Sequence, residues 1–99
     1  MLETVTLHTF LPLVGEMFLL HPSNMPAIPI TLITAEATAA DNDPRRKRAP
    51  FSLLFRGPAG VSFSQGIYHL EREGMEPLDL FLVPLIPDAD GPRLQAVFG

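Results

Sequence analysis

Four stretches in the second half of the chain, 51–57, 66–73, 78–87 and 92–99, carry the alternating apolar pattern of β-strands, with turn-forming residues between them. The stretches that begin at Phe51 and Leu78 share a design. Each starts with apolar residues alternating with one small or acidic residue, then becomes apolar on both faces. A strand of that kind is expected to be covered on both sides. So much β-type apolar surface in 99 residues points to a closed barrel, a tight sandwich or an oligomer.

A chain of 99 residues has room for one core, so a single β domain over 1–99 is expected. Hydrophobic residues make up 46% of it, too many for a disordered chain. The longest apolar run, 78–86, is interrupted by Asp79 and Pro84 and falls far short of a membrane helix. The first residues include acidic Glu3 and lack the basic start of a signal peptide, which makes a cytoplasmic protein the expectation. There is no cysteine, which excludes disulfides, thiolate metal sites and cysteine nucleophiles. The core, or a partner subunit, must then hold the fold by itself.

The seven basic residues are unevenly placed against eleven acidic ones. Arg45, Arg46, Lys47 and Arg48 are consecutive, which leaves an otherwise acidic body. Such a body repels phosphate backbones and anionic lipid, so neither nucleic acid nor membrane is an expected partner. The basic run sits in a stretch, 39–50, with no apolar anchor larger than alanine before Phe51, and reads as a mobile solvated loop.

Before that loop, Leu7, Phe10, Leu11 and Val14 recur at helical spacing, with Thr6 able to cap the segment and Gly15 to end it. Pro12 makes a 3₁₀ turn a close alternative to an α-helix there. Its expected role is to plug one end of the β core. Strands follow at 16–21 and 28–37, the second with Ile28, Ile30 and Leu32 on one face and Thr31, Ile33 and Ala35 on the other. The chain has eleven prolines, almost all expected between strands. Pro84 is the exception, and it implies an edge or a bulge. About six strands and one short helical segment result.

No motif on this framework carries catalysis. Asp88-Ala89-Asp90-Gly91 has the spacing of the middle of a calcium loop, but that register puts Ile86 and Val97 where oxygen ligands belong, so a tight turn is expected. Gly60-Val61-Ser62-Phe63-Ser64 approaches a nucleophile elbow but lacks its last glycine and any following helix. His8, His21 and His69 have no metal-ligand spacing. His69 and Glu71 share a strand face and could form an acid–base pair, although a solvated face is the commoner outcome. Neither metal nor cofactor is expected.

The segments 10–18, 49–58, 65–71 and 80–84, continuing through Ala96-Val97-Phe98, resemble a family of uncharacterised bacterial proteins of similar length. Members of that family are often encoded beside phage-tail-collar-like proteins. The resemblance implies a small accessory of a tail-like or appendage system and brings no catalytic residues with it. The stretch 39–48 is longer than the loop expected of the family. From the residues and the resemblance together, a non-enzymatic protein-interaction module is expected, with a homo-oligomer as one form of its assembly. Phe81, Val83 and Leu85 are its candidate contact face, and the tail-collar-like neighbour its candidate partner. The alternative is a small-ligand-binding barrel with a mouth near His21, Tyr68 and His69. A filled barrel with an apolar outer patch favours the first reading; a large pocket lined by Tyr68 and the histidines favours the second.

Overall fold

The computed structural model describes residues 5–23, 25–38 and 50–98. The expected loop at 39–50, with Arg45, Arg46, Lys47 and Arg48, lies outside the described residues except for Pro50. The described chain forms a short helix α1 (Leu7–Phe10), a 3₁₀ turn (Leu11–Leu13) and six strands. The strands are β1 (Met17–His21), β2 (Ile28–Ala37), β3 (Phe51–Arg56), β4 (Gly66–Glu71), β5 (Leu78–Asp88) and β6 (Gly91–Phe98). They close into an antiparallel barrel in the order β1-β2-β3-β6-β5-β4, with β4 returning to β1. The mainly β fold expected from the sequence is the fold observed, and of the options left open it is the closed barrel.

The barrel consists of two three-stranded meanders, β1-β2-β3 and β4-β5-β6, joined at two seams. At one seam β3 pairs with β6, from Phe51 opposite Phe98 to Arg56 opposite Arg93. At the other, shorter seam β1 pairs with β4 through Leu19–Glu71, Leu20–Leu70 and His21–His69. Closure leaves every strand with partners on both sides along part of its length, which removes the open edges through which sheets aggregate.

Alternation fills the interior. Phe18 and Leu20 of β1, Ile30 and Leu32 of β2, and Phe51, Leu53 and Phe55 of β3 point inward. Leu70 of β4, Leu78, Leu80 and Leu82 of β5, and Leu94, Ala96 and Phe98 of β6 join them. Among the described residues no polar or charged side chain is buried. One end is closed by aromatic rings: Phe10 lies 5.9 Å from Phe51 and 6.0 Å from Phe98, centroid to centroid. Nearer the middle, Phe18 meets Phe55 edge-on at 5.7 Å. The helical segment is therefore the expected plug.

Four expectations need correction. The helical stripe is only half buried: Phe10 is in the core and Leu7 packs against it, but Leu11 and Val14 are exposed and Leu13 packs inward instead. The helix ends at Phe10 and tightens into a 3₁₀ turn with Pro12 in its first positions, and three residues per turn bring Leu13 beneath Phe10. In β2, Ala35 belongs with the core face, because a bulge between Leu32 and Thr34 adds a residue that shifts the alternation. Proline is also more frequent inside strands than expected, since Pro29, Pro87 and Pro92 all lie within them, close to strand ends. The fourth concerns burial on both faces. Phe51, Leu53 and Phe55 fill the core, whereas Leu54 on the other face is only half-buried.

Pro84 sits as its chemistry requires. The β4 ladder along β5 runs from Leu78 to Leu82 and the β6 ladder starts at Val83, so Pro84 has a strand on one side only. A residue without an N–H costs no ladder bond on the vacant side.

Candidate functional site

Because Leu78, Leu80 and Leu82 face the core, the intervening residues of β5 face outward. Phe81 is 53% exposed, while Val83 and Leu85 are half-buried. The register sets Ile67 of β4 directly opposite Phe81. On the other side, β6 pairs with β5 from Val83, opposite Gln95, and the outward Val97 lies two residues beyond that pair on β6. Ile67 is 74% and Val97 66% exposed. Ile67 and Phe81 thus form an exposed apolar pair across β4 and β5 on the outer wall, and Val97 is a third exposed apolar side chain on the next strand, β6. Phe81, Val83 and Leu85 do share a face, but its exposed part is Ile67–Phe81–Val97. Ile67 and Val97 were missed because each is a single outward residue in its own strand, and only strand order makes them neighbours.

The candidate pocket residues do not stay together. Tyr68 opposes Leu80 and points to the core side, whereas His69 opposes Asp79 on the outer wall. Tyr68 packs against the core and donates a hydrogen bond from its hydroxyl to the Ser64 carbonyl oxygen at 2.6 Å. It lines a half-open cavity of about 370 Å³ at one barrel end, between the β1–β2 turn and the connection from β3 to β4. Pro22, Met25, Ile28 and Phe63 are among the other lining residues.

His21 and His69 instead form a polar line across the β1–β4 seam, their ring centroids 5.6 Å apart. His21 Nε2 lies against the Glu71 carboxylate. His69 uses Nδ1 to bond Asp79 Oδ1 at 2.9 Å, and its Nε2 stays 4.0 Å from Glu71. The His69–Glu71 pair that the shared face allowed is thus secondary to His69–Asp79 and His21–Glu71, and the face is a solvated one. Among the described residues no three histidine or carboxylate side chains converge as metal ligands would.

A third polar feature is structural. Arg56 of β3 grips Asp88 with two parallel bonds, Nη1–Oδ1 at 2.5 Å and Nη2–Oδ2 at 2.8 Å. The Asp90 N–H donates to the same carboxylate at 3.0 Å. The Arg56 hydrogen bond, helped by that N–H and by nearby Arg93, lowers the Asp88 pKa to about 2. The Asp88–Gly91 sequence is the β5–β6 turn, as expected, with Gly91 at a positive φ of 124°. The candidate basic run at Arg45, Arg46, Lys47 and Arg48 lies outside the described residues.

Among the described residues no helix is long and apolar enough to cross a membrane. Comparison with curated proteins and with solved structures returned no match. One family model matches, and it covers residues 5–98, which takes in α1, every strand of the barrel and the outer apolar row. The chain belongs to that family, a domain of unknown function designated DUF6916.

Proposed function

We propose that this chain is a non-enzymatic protein-interaction module, acting in the bacterial cytoplasm as an accessory or assembly component of a phage-tail-like or appendage system. The observation that carries the reading is the row Ile67, Phe81 and Val97, 74, 53 and 66% exposed on adjacent strands. The barrel's own interior is already occupied by fully buried side chains, so this row has no role in the core. Ile67 and Phe81 are direct register partners, and contiguous apolar surface on a wall of this kind marks contact with another macromolecule. The tail-like setting and the tail-collar-like partner come from the family resemblance described above.

The test is capture from cells that also make the tail-collar-like protein, with the wild-type chain and with Phe81→Asp as baits. Wild type should retain that protein and Phe81→Asp should lose it, while circular dichroism of the two chains stays alike. Equal retention by both would remove the outer row from the account.

One observation favours the second reading, a small-ligand-binding barrel. The cavity beside Tyr68, at about 370 Å³, falls within the size range of small-molecule sites. Under that reading Ile28→Trp, which fills the cavity, abolishes ligand binding and leaves partner capture intact.

A further inference from the structure

A second surface lies around β1 and the β4–β5 turn. Met17 and Leu19 point outward from β1, 54 and 41% exposed, beside the turn that joins β4 to β5. With half-buried Met75 and with Pro77 they floor a shallow groove of about 480 Å³, rimmed by Glu71, Arg72 and Glu73. The one cation on the rim is already committed. Arg72 donates to Glu16 Oε1 at 2.9 Å and to the Met17 carbonyl oxygen at 3.1 Å, and its guanidinium lies 5.9 Å from the centre of the Phe18 ring. Glu73, by contrast, has no hydrogen-bond or ion-pair partner among the described residues. The groove therefore offers an apolar floor, two adaptable thioethers and, at its edge, the unpaired Glu73 carboxylate near Glu71, which already meets His21.

We propose that this groove docks a basic peptide segment of a protein partner, one that places a single aliphatic side chain on Met17, Leu19 and Met75 and Lys or Arg beside Glu71 and Glu73. Thioethers on flexible stems accommodate side chains of varied shape, which suits a short linear segment better than a rigid folded face. The carboxylates select the sign of the partner's charge and speed its encounter. The groove touches β4 through Glu71 but is lined by none of Ile67, Phe81 and Val97, so variants of either surface can be read without altering the other.

The experiment titrates the full chain, followed by amide NMR, with a capped pentapeptide of one leucine flanked on each side by two lysines. Weak, fast-exchanging binding should shift Met17, Leu19 and Met75, and added salt should weaken it. Glu73→Gln should lower affinity about threefold, the scale of one exposed charge pair. Leu19→Ser should lower it about tenfold through lost apolar contact, with the fold checked by circular dichroism and Met17→Gln as a second variant of the floor. The same peptide with serine for leucine should bind poorly, and one with glutamates for lysines should not bind. Equal binding of the glutamate peptide, shifts confined to other walls, or shifts at Met17 and Leu19 on raising protein concentration alone would each overturn the proposal. The last would mean that a second copy of the chain covers the groove.

Discussion

Phe51 and Phe98 stack face to face across the β3–β6 seam, with ring centroids 4.4 Å apart and planes 8° from parallel. They are also direct register partners, so one side-chain pair holds the start of β3 to the end of β6 and joins the two meanders of the barrel. Phe10 completes the cluster from the helical plug, and Phe51 is fully buried.

Phe51→Ala should therefore be among the most damaging single changes. Removing a buried ring that touches two others costs about 3–5 kcal/mol. Urea unfolding measures it, and a loss under about 1 kcal/mol would contradict the role given to this seam.

Phe81→Asp makes the opposite prediction for stability. The side chain is 53% exposed and its register partner across β4 and β5 is Ile67. Such pairs are worth about 0.2–1 kcal/mol, so the folded barrel should persist with a small drop in melting temperature. Cooperative unfolding lost altogether would mean that the ring belongs to a core.

The Arg56–Asp88 bond gives a pH signature. Asp88 is held below its usual value of 3.8, at about 2, so the carboxylate is favoured in the folded state. Its stabilising effect is fully present above the unfolded value and disappears as pH falls through the folded one. Asp88→Asn should lower the melting temperature at neutral pH, and the gap to wild type should narrow between about pH 4 and pH 2. A gap that stays constant across that window would show that the loss is not electrostatic.

Gly57 is held by packing. A Cβ there would lie 2.7 Å from Cε2 of the Phe63 ring and 3.4 Å from Pro92. Gly57→Ala must displace that ring and should cost about 1–2 kcal/mol, as overpacking does. Phe63→Leu in the same chain should recover part of the loss, a coupling that a double-mutant cycle reads directly.

These relationships differ in how far the sequence discloses them. Period-two alternation places all six strands to within a few residues, because which residues face inward is a local property of each strand. It also separates Phe81 from Leu80 and Leu82. The β2 bulge is invisible to it, since the extra residue beside Ile33 shows only against the partner strand β3. The seams are likewise non-local: nothing within β3 or β6 says that Phe51 lies against Phe98. The same reason hid the outer row, whose members come from three strands. Leu13 replaces Leu11 beneath Phe10 because the choice between α and 3₁₀ winding around Pro12 decides which residue the turn carries inward.

The outer wall can be tested in place. A photo-cross-linking residue is introduced singly at Ile67, Phe81 and Val97, and at Thr34 on β2, which lines neither proposed surface, and cells making the full chain are irradiated. The account predicts one discrete protein adduct, the same from all three row positions and absent from Thr34. No adduct from any of the three, or the same adducts from Thr34 as from the row, would contradict it.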